Sequence, residues 1–181
     1  CKMNSSYILA IDQSTQGTKA LLFDRTGELV LRTDRAHRQI IDDKGWVSHD
    51  PEEIYRNTIT AVRELLDQSG IDKSLIAGTA ISNQRETTLA WDRETGRPIG
   101  QAVVWQCARA AGICEEVERQ GQAEMIRSRT GINLSPYFPA AKIAWILANQ
   151  PEAAVKSAAG QICYGTVDSW LIYKLTGGRC Y

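Results

Sequence analysis

Between Tyr7 and Thr33 the chain alternates short apolar runs with polar turns, and that rhythm constrains its fold more than any other feature. Tyr7-Ile8-Leu9-Ala10-Ile11-Asp12 is an apolar run ending in a carboxylate and reads as a buried strand. Gln13-Ser14-Thr15-Gln16-Gly17 follows as a turn, then Thr18-Lys19-Ala20-Leu21-Leu22-Phe23-Asp24 as a second strand. After a further turn at Arg25-Thr26-Gly27, Glu28 to Thr33 alternates like a third strand with one wet face. The expected opening is a three-stranded antiparallel meander.

Asp50-Pro51-Glu52-Glu53 then carries the signals of a helix start. Asp50 is a capping type, proline suits the first helical position, and two glutamates complement the positive end of the helix dipole. Ile54, Ala61, Val62, Leu65 and Leu66 recur at helical spacing, with Gly70 as the stop. Leu75 to Ser82 is short and apolar and reads as a central strand. Thr87–Trp91 and Ala102–Trp105 read as further strands around a turn at Glu94-Thr95-Gly96. From Cys107 onward the pattern is helical, broken from Gly131 to Pro139, with a last helix from about Thr166 to Leu175. Only a mixed α/β class accommodates that order.

The 21 basic residues balance the 21 acidic ones, which argues against a nucleic-acid partner or an anionic membrane surface. No apolar run reaches the roughly 20 residues of a membrane span. Cys1-Lys2-Met3-Asn4-Ser5-Ser6 lacks an apolar core, so no secretory signal is expected and Met3 is a candidate initiator. Cys1, Cys107, Cys114, Cys163 and Cys180 are scattered without a CxxC pair, which fits buried thiols in a reducing cytoplasm. The remaining polar residues have ordinary readings. His37 and His49 stand more than ten residues apart in the sequence, and neither is expected to be a catalytic base. Glu115-Glu116-Val117-Glu118-Arg119 reads as a solvated helix face, and Lys142, Ile143, Trp145, Ile146 and Leu147 as an amphipathic helix on the core. Trp170, Leu171 and Leu175 read as core.

The first turn has a chemical reading as well. Asp12-Gln13-Ser14-Thr15-Gln16-Gly17-Thr18-Lys19 offers backbone N–H groups, the Thr15 and Thr18 hydroxyls and a fixed positive charge, the makings of a phosphate cradle. An ionised Asp12 beside it suits Mg²⁺, directly or through water. A polar hairpin with an Asx-type turn is the simpler account of these residues alone. No GxxxxGK[ST] loop is present, so a P-loop is not supported.

Five collinear segments settle the balance. Gly45-Trp46-Val47 with His49-Asp50-Pro51, Ile81-Ser82-Asn83-Gln84-Arg85-Glu86-Thr87-Thr88, Val103-Val104-Trp105-Gln106-Cys107, Thr130-Gly131 with Ser135-Pro136-Tyr137-Phe138, and Gly165-Thr166-Val167-Asp168-Ser169-Trp170-Leu171 stand in order. Together they resemble the FGGY carbohydrate kinases, most of all the branch that phosphorylates glycerol. The resemblance implies an α/β, ribonuclease-H-like (actin-like ATPase) lobe, incomplete, whose core opens with three antiparallel strands. It implies ATP and Mg²⁺ as cofactors, with Thr15, Gln16, Gly17 and Lys19 on the nucleotide phosphates and Asp12 beside the metal. It assigns glycerol or a similar polyol to Arg85, Glu86, Trp105 and Tyr137.

Elementary chemistry agrees with that assignment. A carboxylate accepts from two neighbouring hydroxyls, a guanidinium donates to their lone pairs, and both bonds are charge-assisted. Tyr137 adds a phenol and Trp105 an aromatic wall against the carbon chain. A surface ion pair at Arg85-Glu86, with Trp105 and Tyr137 as core, is the plainer alternative.

The hairpin departs from the family pattern at Ser14, Gln16, Gly17 and Lys19, and Ala108 stands where an arginine is common. Lysine for arginine is not conservative where phosphate is held bidentately. The resemblance further implies that residues 1–181 are the N-terminal portion of the first lobe. The rest of that lobe, the second lobe and the general-base aspartate would lie beyond residue 181, so the chain would supply no catalytic base and would be inactive and prone to self-association by itself. The full-length enzyme would be a cytoplasmic homo-oligomer. Another FGGY polyol or ketose kinase, or a non-catalytic actin-like binding module, remains the alternative.

Overall fold

The computed structural model describes residues 6–180, and these form two units. One holds the chain up to Arg38 together with Glu52–Gln84; the other holds Gln39–Pro51 and the chain from Arg85 onward. The Met3 start and Cys1 lie outside the described residues.

In the first unit, β1 (Tyr7–Gln13), β2 (Gly17–Phe23) and β3 (Leu29–Ala36) form the expected antiparallel meander. Leu9, Ile11, Ala20 and Leu22 are buried at alternate positions, as period-two patterning requires. Helix α1 (Pro51–Ser69) lays Ala61 and Leu65 against Leu9, Ala20 and Leu22. Burying each large aliphatic side chain contributes about 2 kcal/mol. The Thr33 hydroxyl donates to the Ala61 carbonyl at 2.7 Å, and an Arg35–Glu64 ion pair also ties β3 to the helix. Gly70, at φ 62°, ends α1 and donates its N–H back to the Leu66 carbonyl at 3.2 Å.

After a short 3-10 turn, β6 (Ile76–Asn83) runs parallel to β1 and completes the order β3-β2-β1-β6. The expectation of a central strand is corrected here: β6 is an edge strand, and none of its residues is fully buried. Its apolar run reflects parallel pairing with β1, while its outer edge has no partner strand among the described residues.

The second unit has a sheet of order β4 (Ile40–Ile41), β5 (Val47–His49), β8 (Ala102–Val103), β7 (Thr88–Asp92) and β9 (Ile162–Thr166), with all pairs antiparallel. Strand β9 stands inside a stretch expected to be wholly helical. Its five residues are too few to show a period, and only the partner β7, reached by Trp91 opposite Cys163, makes them a strand. At the end of β7 the Asp92 carboxylate accepts from the N–H groups of Glu94 and Thr95. The Lys156 ammonium at 2.5 Å, helped by these donors, holds its carboxyl well below the usual carboxylate range.

Helices α2 (Ala111–Arg119), α3 (Ala123–Thr130), α4 (Pro139–Asn149), α5 (Pro151–Ala158) and α6 (Val167–Leu175) complete this unit. Both α4 and α5 begin on a proline, which lacks only an N–H that would be unpaired there. The core gathers Val47, Ala90, Val103, Val104, Ile146 and Ile162. The Trp46 and Trp145 rings meet edge to face with centroids 5.5 Å apart, and Arg109 packs on both, 5.3 and 5.0 Å from their centroids, while donating to the Val47 carbonyl and Ser48 hydroxyl. The Trp46-Val47 signature is thus held by stacking and hydrogen bonds within this unit. Trp170 and Leu171 are core as expected, but Leu175 is 41% exposed because it occupies the last turn of α6.

Cys107, Cys114 and Cys163 are buried free thiols, and Cys180 is exposed. Among the described residues no helix is long and apolar enough to cross a membrane.

Candidate active site

The first-unit candidate is the turn between β1 and β2. The Ser14 N–H and hydroxyl both donate to the Gly17 carbonyl, at 2.8 and 3.0 Å, which closes the turn but spends that N–H internally. The Ser14 carbonyl accepts from the Gln13 carboxamide at 2.8 Å and the Gln84 carboxamide at 3.3 Å, and Gln84 also donates to Gln13 Oε1 at 3.1 Å. Gln13 and Gln84 are both buried. This buried amide network fixes the turn from beneath. Gly17 is required by close approach, since a Cβ there would lie 2.5 Å from the Arg35 carbonyl oxygen.

Register decides which side chains share the face above β1 and β2. Asp12 is paired across from Lys19, and Lys19 across from Asp34. The Lys19 ammonium donates to Asp12 Oδ2 at 3.1 Å, with Asp12 still 43% exposed at its side chain. A cavity of about 310 Å³ opens here, lined by Gln16, Gly17, Lys19, Arg32 and Arg35 among others. Thr18 also borders this cavity, although it is 1% exposed and alternates with Ala20 and Leu22 at the buried positions of β2. Thr15 is half-buried within the turn itself. Of the expected phosphate contacts, Gln16, Gly17 and Lys19 therefore line one cavity, with Asp12 bonded to Lys19 at its side.

No three His, Cys, Asp or Glu side chains gather as a metal cluster among the described residues. One accessible carboxylate still fits Mg²⁺, which keeps most of its waters and is held through one or two carboxylates and substrate phosphates.

The second-unit candidate begins at the residue after Gln84. Arg85 is exposed and Glu86 is half-buried. Glu86 adopts φ 66°, the one non-glycine residue with positive φ among the described residues. A glutamate in that conformation costs about 1–3 kcal/mol and persists only where its surroundings hold it. The Thr88 hydroxyl donates to the Glu86 carbonyl at 2.9 Å, and the Thr87 hydroxyl accepts from the Trp105 N–H at 3.1 Å. Trp105, partly buried on the core, meets Tyr137 edge to face with centroids 6.1 Å apart. Tyr137 is 39% exposed, so its ring is a rim rather than a core residue. Glu86 borders a cleft of about 500 Å³ with Ile132, Leu134, Ser135, Phe138 and Ala141, a mostly apolar hollow carrying one carboxylate.

Beneath Tyr137 sits Lys142, which is wholly buried and donates to the Tyr137 carbonyl. Burial pulls its ammonium down to about 8, partly opposed by the negative charge of Glu86.

A model of the FGGY family of carbohydrate kinases, N-terminal domain, matches residues 7–181. This chain belongs to the FGGY family. It is 50% identical over 175 residues to glycerol kinase 1 of Thermotoga maritima, covering 97% of the chain and 36% of that relative. To the glycerol kinase of Symbiobacterium thermophilum it is 46% identical over 179 residues, 99% of the chain and 36% of the relative. The crystal structure of Plasmodium falciparum glycerol kinase with ADP superposes with a TM-score of 0.89 at 35% identity, covering 98% of this chain and 35% of that one. The FGGY chain thus spans about a third of the length of these relatives, and its fold is the actin-like, ribonuclease-H-like one that the meander foreshadows.

Within this FGGY chain the family motifs name Glu86, Trp105 and Tyr137 as candidates but leave out what packs around them. The Gln84 carboxamide, one residue before Arg85, serves the hairpin of the first unit. Lys142 was read as one face of an amphipathic helix. A lysine amid Ala141, Ile143 and Ile146 in the first turn of α4 was the available signal, because a cation is unfavourable there both by burial and by the helix dipole.

Proposed function

We propose that the protein carrying this chain transfers the γ-phosphoryl group of ATP to a hydroxyl of glycerol, giving glycerol 3-phosphate and ADP. The observation that carries the reading is Glu86, held at φ 66° at the border of its cleft, one residue before the Thr87 hydroxyl that accepts from the Trp105 backbone N–H. Backbone strain of that kind is stored where a side chain must point in one direction for a ligand. The two bacterial relatives named glycerol kinase, each matched along nearly all of this chain, support the same choice of acceptor.

In this reading the Glu86 carboxylate accepts from two adjacent hydroxyls and the Arg85 guanidinium donates to their oxygens. The Tyr137 phenol meets a third hydroxyl, and Trp105 covers the carbon chain and keeps water away. Thr15, Gln16, Gly17 and Lys19 receive the phosphate tail of ATP. Asp12 would hold Mg²⁺, which when bound would supply positive charge to offset that of the phosphoryl oxygens. The acceptor oxygen attacks phosphorus in line, and its proton passes to an aspartate that the family resemblance places beyond residue 181. The whole protein is proposed to be a cytoplasmic homo-oligomer, with no nucleic-acid or membrane partner, and residues 1–181 to be the N-terminal portion of its first lobe.

ADP release by the full-length protein, measured with glycerol, erythritol and xylulose, tests the assignment. Glycerol is expected to give the highest kcat/KM, and residues 1–181 alone no acceptor-dependent turnover. A higher value with xylulose would transfer the protein to the ketose kinases, and turnover indifferent to any polyol would remove the reading.

A further inference from the structure

The Lys142 ammonium has no part in the chemistry just described, yet its position is costly. It is wholly buried in the first turn of α4, where the helix dipole opposes a positive charge. A residue carried at such a cost is explained by what it holds. Its ammonium donates to the Tyr137 carbonyl, five residues back, and so fixes the Ser135–Phe138 turn onto the helix. It stands 5.8 Å from the centroid of the Tyr137 ring, which in turn meets Trp105.

We propose that Lys142 is the positioning residue of the polyol site, tying the Tyr137 turn in place with its hydrogen bond and its place beneath the Tyr137 ring. The proposal rests on the polyol reading of Arg85, Glu86, Trp105 and Tyr137. Its physical content is preorganisation: a phenol already held in place loses less freedom on binding.

The groups facing the ammonium make this arrangement sensitive to pH. They are Glu86 from the segment before β7, Cys107 from the loop after β8, Cys114 from α2, and Tyr137 from the turn before α4. Burial lowers Lys142 to about 8, whereas it raises the Cys114 thiol, so the lysine is first of the two to lose its proton as pH rises. Above pH 8 the neutral amine still reaches the Tyr137 carbonyl, but the bond is no longer charge-assisted, and the turn is held less firmly.

Glycerol affinity of the full-length protein, measured by titration calorimetry from pH 6.5 to 9.5, tests this with two variants. The unaltered protein is expected to weaken about tenfold across that range. Lys142→Met should be weak already at pH 7 and flat with pH, while Lys142→Arg, charged throughout, should bind well at pH 7 and stay flat. If Lys142→Met keeps both the affinity and the pH break, Lys142 has no such role. Binding by the unaltered protein with no pH break, even if Lys142→Met is weak, would leave the lysine a purely structural part and overturn the proposal alone. No glycerol binding by the unaltered protein at any pH would overturn the polyol reading and the proposal together.

Discussion

The two candidate regions are built on opposite plans. The β1–β2 turn is a backbone device: strand register aligns Asp12 with Lys19, a close approach demands Gly17, and buried carboxamides hold the loop. The polyol region is a side-chain device, in which a strained Glu86, an aromatic pair and a buried lysine come from four separate segments of the second unit. A backbone device should fail by unfolding when it is altered. A side-chain device should lose its ligand while the fold stays intact or becomes more stable.

The largest expected effect is Gly17→Val, because a Cβ at 2.5 Å from the Arg35 carbonyl oxygen must break the end of the β2–β3 ladder. A loss of about 3 kcal/mol in urea unfolding is expected. Gln84→Leu comes next: it leaves Gln13 Oε1 without its donor in a buried place and should cost about 2 kcal/mol. Its chain neighbour two residues on should behave in reverse. Glu86→Gly relieves the φ of 66° and should stabilise the protein by about 1 kcal/mol in the same assay. It should also lower glycerol affinity about 100-fold through loss of charge-assisted bonds. Should Glu86→Gly destabilise the fold instead, the conformation of Glu86 is not strained for function and the contrast collapses. Smallest is Lys19→Ala, which removes a half-exposed pair to Asp12 and should change stability by less than about 1 kcal/mol while weakening ATP.

What could be read in the sequence follows the same division. The meander, α1 and its Gly70 stop were legible because period-two alternation, a proline start and a glycine stop are local signals. Strand β9 was not, since five residues from Ile162 become a strand only through β7, some seventy positions earlier in the chain. The edge position of β6 was hidden for a related reason: an apolar run says nothing about how many strands flank it. At the proposed polyol site, Arg85, Glu86, Trp105 and Tyr137 are candidates that the family motifs supply. The positive φ of Glu86 and the bond from Lys142 to the Tyr137 carbonyl were not legible, because neither leaves a spacing to count.

The most direct test of the central claim is a crystal structure of the full-length protein with glycerol bound. The account predicts two glycerol hydroxyls within about 3 Å of the Glu86 carboxylate, their oxygens in reach of the Arg85 guanidinium, and the carbon chain against Trp105. Glycerol bound in a place that none of these side chains touches, with Glu86 relaxed to a negative φ, would contradict it.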